Sequence, residues 1–188
     1  MSVVFQLQRA YGLQGFYLMV VGTLVVVLLV IRLLEIRGAP RAARAVAGVA
    51  LVATLAGVAE ATLRPVVPPD LAVPKLLLDP VEGAQGWAGV AWRPVINNVG
   101  LFLPLGTLSA AALPRVPRGW LLVLLVLVSV GIETTQYLVP MGRVANTADV
   151  LANGAGAALG LLLATLVLGP SSRRRRARAV PRGTEVRA

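Results

Sequence analysis

The chain has 188 residues, 57% hydrophobic content, a mean hydropathy of +0.79 and a formal net charge of +10. It is far more apolar than an ordinary soluble domain, and its apolar residues form long runs with few charges, which is typical of a membrane protein. Because it contains no cysteine and no histidine, disulfides, thiol redox chemistry, Cys/His zinc sites and histidine-dependent triads are excluded.

Five segments are predicted to cross a bilayer, at residues 16–34, 42–63, 95–113, 119–139 and 149–168. Each is close to the roughly 20 residues that a helix needs to cross about 30 Å of hydrocarbon. The third carries Asn97, Asn98 and Pro104, so a four-span alternative stays open. The predicted fold is an all-α, polytopic transmembrane helix bundle over residues 16–169, with a short external segment at 1–15.

The basic residues predict the orientation of the bundle. With five spans, thirteen of the eighteen lie on one side, in the first connection, the third connection and the C-terminal tail. The positive-inside tendency then places the N-terminus outside and the C-terminus in the cytoplasm of a plasma-membrane protein. The basic tail at 170–188 is interpreted as a disordered topology signal that lies against anionic lipid, and no nucleic-acid partner is predicted.

The first span is predicted to be a retained helix. Arg9 is the only basic residue ahead of it and a basic cluster follows it, which is the reverse of a signal peptide. The long connection at 64–94 contains Pro65, Pro68, Pro69, Pro74 and Pro80. This proline content excludes a continuous helix, and the apolar patches of the connection favour a position at the membrane interface.

Polar residues interrupt the later spans at one depth. They are Asn97 and Asn98 in the third, Glu133 and Gln136 in the fourth, Arg143 in the following turn, and Asp149 and Asn153 in the fifth. All fall near the predicted external side, and Glu60 of the second span joins them. Since a carboxylate at the centre of a span costs roughly 2.5–3.5 kcal/mol, such groups are paired inside the bundle or serve a function.

Each polar residue also has a structural interpretation. Asn146 is predicted to cap the fifth helix, with Asp149 in its first turn. Arg143 is predicted to pair with Asp149 or Glu133, and Glu60 with Arg64. Asparagines often act as interhelical hydrogen-bond donors and acceptors, and the pattern Gly156-x-x-x-Gly160 indicates close helix packing.

The motifs together resemble the VanZ-like membrane proteins. The segment 97–106 is similar to the family's asparagine-to-phenylalanine-proline-glycine motif, and 132–136 to its glutamate-x-x-glutamine motif. Gly142-Arg143 and the segment 148–156 resemble the arginine, aspartate, asparagine and glycine series that ends the domain. The residues before Asp149 depart from the family, whose members often carry an aromatic or acidic residue there. The family was named for a member linked to low-level teicoplanin resistance, so the resemblance implies a bacterial envelope setting without a reaction.

Three functional hypotheses follow. The first is a non-enzymatic envelope protein whose external polar pocket binds a lipid-linked or amphiphilic ligand. Its expected partners are membrane lipids and a lipid-linked cell-wall precursor or a glycopeptide. Its ligand-binding residues would be Asn97, Asn98, Glu133, Gln136, Arg143, Asp149 and Asn153. The second is a membrane enzyme with Glu133, Asp149 and Arg143 as catalytic groups. The third is a small proton-linked transporter. No metal or cofactor is predicted, and the oligomeric state is left open.

Overall fold

The computed structural model describes residues 3–68, 71–79 and 92–169. These ranges form five long helices and two short strands. The helices are α1 (Val3–Ile36), α2 (Pro40–Leu63), α3 (Trp92–Ala112), α4 (Arg118–Leu138) and α5 (Thr147–Leu168), and the strands are β1 (Lys75–Leu77) and β2 (Val144–Asn146). The predicted disordered tail, and residues 69–70 and 80–91 of the predicted interfacial connection, lie outside the described residues.

All five helices are long and apolar enough to span a membrane. The spans are Leu18–Ile36, Pro40–Leu63, Pro94–Ala112, Arg118–Leu138 and Thr147–Leu168, each within two residues of the predicted bounds. The prediction of an all-α transmembrane bundle with five spans is confirmed. Helix α3 continues through Pro104, so the polar third segment remains a helix and the four-span alternative is not supported.

Helix α1 is longer than its predicted span. It begins at Val3, thirteen residues before the predicted start, because the segment 3–15 contains no proline to stop it. At its other end, Gly38 adopts a φ of 77°. The amide of Ala39 donates to the carbonyl of Leu34 at 2.8 Å, which is the closing bond of a Schellman turn. The turn lets α2 start at once with Pro40 at its first position.

The two strands form a parallel ribbon that was not predicted. Lys75 lies opposite Val144 and Leu77 opposite Asn146, and the Thr147 hydroxyl lies 3.3 Å from the Leu77 carbonyl oxygen. The ribbon ties the connection between α2 and α3 to the one between α4 and α5. Strands of three residues are too short to show a recognisable hydrophobic period, so only the fold reveals them.

Helices α3 and α5 pack most closely. A Cβ atom added to Gly156 would collide with the backbone of Val99, and one added to Gly160 with that of Leu103. From the other side, a Cβ atom at Gly106 would collide with the backbone of Ala157. The packing role predicted for Gly156 and Gly160 is therefore confirmed, since only glycine permits this approach of two backbones.

Candidate functional site

Several of the predicted polar residues, among them Glu133, Gln136 and Arg143, meet at one end of the bundle, here called the polar end. There α2 and α4 finish, α3 and α5 begin, and the β1–β2 ribbon joins the two connections. Helices that run in alternate directions bring the last turn of one beside the first turn of the next. Polar residues near the ends of different spans can therefore bond to one another.

Glu133 fastens the connection between α4 and α5. Its side chain is only 8% exposed, and its Oε2 accepts a hydrogen bond of 2.7 Å from the backbone amide of Asn146. Asn146 in turn caps α5, since its Oδ1 accepts from the amide of Ala148 at 2.9 Å. The predicted cap is confirmed, and Glu133 holds the capping residue in place.

Arg143 and Gln136 form hydrogen bonds with carbonyl groups at the C-terminal end of α2. The Arg143 guanidinium donates to the Ala61 carbonyl at 2.9 Å through Nη2 and to the Arg64 carbonyl at 3.0 Å through Nε. The Gln136 amide donates to the Thr62 carbonyl at 2.9 Å. The last carbonyls of a helix have no partner within the helix and carry a partial negative charge. A cation and an amide from another part of the chain supply those partners here.

The ion pairs predicted for Arg143 and Glu60 are not formed. Among the described residues, the one salt bridge joins Arg32 and Glu35 at 3.2 Å. Burial lowers the pKa of the half-buried Arg143 below its ordinary value, and the nearby Glu133 carboxylate opposes that shift. A guanidinium nevertheless stays charged in proteins. Arg143 bonds to helix carbonyls instead of a carboxylate because α2 ends beside it.

Asn98 of α3 lies near Asp149 of α5. Asp149 itself lies in the first turn of α5. Asn97 points about 100° away from Asn98 around the helix. It therefore lies on the side of Gly100, Leu101 and Pro104, toward α1 and α2. The two adjacent asparagines thus face different parts of the bundle.

A second polar contact lies deeper in the bundle. The Asn153 amide donates to the Ser129 hydroxyl at 2.8 Å, and these side chains are 2% and 0% exposed. The Asn153 Oδ1 atom has no hydrogen-bond partner among the described residues. Sequence reasoning missed Ser129, although its position four residues before Glu133 places the two on one face of α4.

An apolar cavity of about 440 Å³ opens between α1, α2 and α3. It was also missed, although the small residues Ala50, Ala53, Gly57 and Ala61 recur along one side of α2. From the other helices it is lined chiefly by Met19, Leu24, Val27, Leu101, Pro104 and Leu108. Ala61 connects this cavity to the polar end, since its carbonyl is one of the two that accept hydrogen bonds from Arg143.

These features define a polytopic α-helical membrane protein with a polar end beside an apolar intramembrane cavity. The VanZ/LLP1 family matches residues 16–168, and the chain belongs to this family. The motif residues Glu133, Arg143 and Asn153 form hydrogen bonds that join separate elements, and Asn98 of α3 lies near Asp149 of α5. Searches of curated proteins and of solved structures gave no match.

Proposed function

We propose that this protein acts in the bacterial cell envelope by binding an anionic amphiphile at its polar end, which faces outward. Arg143 carries the proposal. Its half-buried guanidinium has no carboxylate within 4.0 Å among the described residues, and it lies beside Ala61 of the apolar cavity. A partly buried positive charge next to an apolar space complements a ligand with an anionic headgroup and a hydrophobic part.

The outward direction of the polar end is supported by charge. The opposite end of the bundle holds Arg37 in the α1–α2 connection, Arg41 in the first turn of α2 and Arg115 in the α3–α4 connection. Excess arginine in short connections favours the cytoplasmic side. The N-terminus would then lie outside and the C-terminus in the cytoplasm, with the protein in the plasma membrane.

The contacts of the other polar residues support binding over catalysis. Glu133 and Gln136 are already bonded to backbone groups that hold the polar end together. In this proposal they position Arg143 and the neighbouring connection, Asn98 and Asp149 form the adjacent wall, and the ligand contacts Arg143. The enzyme and transporter hypotheses would instead require Glu133 to exchange a proton, which would weaken its bond to the Asn146 amide, since a neutral carboxyl accepts less strongly than a carboxylate.

The test compares lipid-dependent stability in phosphatidylcholine nanodiscs with and without phosphatidylglycerol, an anionic lipid. Phosphatidylglycerol should raise the Tm of the wild type. Arg143→Gln should lose most of this rise, because a charge-assisted hydrogen bond contributes about 1.5–3 kcal/mol, or roughly tenfold or more in affinity. Arg143→Lys keeps the charge and should keep part of the rise.

The control is Arg115→Gln, which removes an exposed charge at the opposite end. Arg143→Gln also removes bonds to α2 and should lower the Tm in both lipids. The decisive quantity is therefore the difference in Tm between the two lipids. An equal difference in the wild type and Arg143→Gln would contradict the proposal.

The proposal extends to glycopeptides because the family was named for teicoplanin resistance. Expression of the wild type in a glycopeptide-sensitive bacterium should lower its susceptibility to teicoplanin, and Arg143→Ala at matched membrane levels should lose that effect. If the wild type does not change susceptibility, the extension to resistance is wrong and the lipid-binding proposal is tested by the nanodisc experiment alone.

A further inference from the structure

We infer that the cavity between α1, α2 and α3 holds one acyl chain of an anionic membrane phospholipid whose headgroup lies at Arg143. The inference rests on the proposed function and names the ligand class and the place of its hydrophobic part. The occupant is a lipid of the surrounding bilayer, since the cavity lies between spanning helices.

The shape of the cavity suits a chain. Its lining positions on α2 run from Ala50 to Ala61, and eleven residues of helix rise about 16 Å. The cavity therefore follows the helix axis through roughly half of a 30 Å hydrocarbon layer. Its volume of about 440 Å³ lies within the range of roughly 300–1,000 Å³ typical of small-molecule sites.

The chemistry of the lining also suits a chain. Most of the lining side chains are aliphatic, and the Thr54 hydroxyl already donates to the Ala50 carbonyl at 2.8 Å. The hydroxyl proton of Thr54 is therefore already used in a hydrogen bond within α2. An apolar cavity offers water too few partners to hold it, whereas a hydrocarbon chain gains dispersion contacts with the walls.

Gly57 leaves room for the chain at the middle of the α2 wall. A Cβ atom added to Gly57 meets no atom within 4 Å, although Gly57 lines the cavity. This differs from Gly156 and Gly160, where the missing side chain admits another helix. On α2 the missing side chain leaves open volume instead.

The charge of Arg143 decides where the headgroup lies. Ala61 lines one end of the cavity, and its carbonyl is 2.9 Å from Nη2 of Arg143. A lipid with its chain against Gly57 would bring its phosphate to the level of that guanidinium. The anionic phosphate supplies the partner that no described carboxylate provides within 4.0 Å.

The test uses phosphatidylglycerol that carries a photoactivatable diazirine in one acyl chain. The full chain is reconstituted in phosphatidylcholine nanodiscs containing this probe, irradiated, and mapped by peptide mass spectrometry. Adducts should concentrate on the cavity-lining segments of α1, α2 and α3. Gly57→Phe should fill the cavity and reduce these adducts about tenfold.

Gly48→Phe is the matched control. It makes the same change on the same helix, a Cβ atom there also meets nothing within 4 Å, and Gly48 does not line the cavity. Its adduct pattern should equal that of the wild type. Adducts spread evenly over the lipid-facing helices and unaffected by Gly57→Phe would overturn the inference.

Arg143→Gln separates the two proposals. It should reduce the excess of phosphatidylglycerol adducts over those of a phosphatidylcholine probe with the same chain. If Gly57→Phe removes the cavity adducts but Arg143→Gln leaves this excess unchanged, the headgroup assignment and the proposed function fail while the chain site stands. If Arg143→Gln reduces the excess of phosphatidylglycerol adducts but Gly57→Phe leaves the cavity adducts unchanged, the cavity inference fails and the proposed function stands.

Discussion

At the scale of single residues, the polar side chains of this protein bond mainly to backbone groups at helix ends. Glu133 accepts from the amide of a capping residue, and Arg143 and Gln136 donate to the last carbonyls of α2. Helix ends carry unpaired donors and acceptors that hydrocarbon cannot satisfy. The polar residues are thus concentrated where the backbone itself requires partners.

The cap at Asn146 gives a prediction at this scale. Asn146→Ala should reduce the stability of the protein by about 0.5–2 kcal/mol, because the amide of Ala148 loses its acceptor. Asn146→Ser should cost much less, since serine caps about as well as asparagine. Reversible unfolding in sodium dodecyl sulfate measures both. Equal losses for the two variants would show that the cap does not stabilise α5.

At the scale of helices, α3 and α5 form the tightest pair. The Thr107 hydroxyl on α3 lies 3.1 Å from the Gly160 carbonyl oxygen on α5, and the backbones touch at three glycines. Lipid tails are as apolar as leucine, so close van der Waals packing holds membrane helices together. The connections at the polar end can keep their geometry because this pair is fixed.

Gly160→Ala should separate these helices. The added methyl group would collide with the backbone of Leu103, and overpacking of this kind costs about 1–3 kcal/mol. Gly131→Ala on α4 is the control, since a Cβ atom there meets nothing within 4 Å and alanine favours the helix. The concentration of sodium dodecyl sulfate at the midpoint of unfolding should therefore be lower than that of the wild type only for Gly160→Ala. If Gly160→Ala unfolds at the same midpoint as the wild type, the close contact between α3 and α5 is contradicted.

At the scale of the whole molecule, the polar end and the arginine-rich connections lie at opposite ends of the five-helix bundle, and the proposed orientation places them on opposite sides of the membrane. The absence of cysteine makes this arrangement simple to test with single substitutions. Pro114 lies in the α3–α4 connection and Pro140 in the α4–α5 connection, and both are exposed.

A membrane-impermeant maleimide applied to intact cells should label Pro140→Cys and leave Pro114→Cys unlabelled. Permeabilised cells should label both, which controls for accessibility. The expectation follows from the excess of arginine on the Pro114 side. Labelling of Pro114→Cys alone in intact cells would reverse the proposed orientation.

Much of the fold was predictable because hydrophobic length and small-residue spacing are local properties. Five spans, the Asn146 cap and the packing role of Gly156 and Gly160 all follow from such patterns. The partner of Arg143 was predicted wrongly. Coulombic reasoning favours a carboxylate, whereas the partners used are backbone carbonyls about 80 residues earlier in the chain, which no sequence pattern marks.

The sequence by itself determined that most of the polar residues lie near one end of the bundle, since each span must start and stop within the thickness of the bilayer. Only the tertiary structure decided what they contact and where Gly57 leaves a cavity. Those outcomes depend on how neighbouring helices are rotated and how closely they approach, which is set by packing between distant segments. The tertiary structure thus places Arg143 where it donates to a carbonyl in the last turn of α2, beside an apolar cavity.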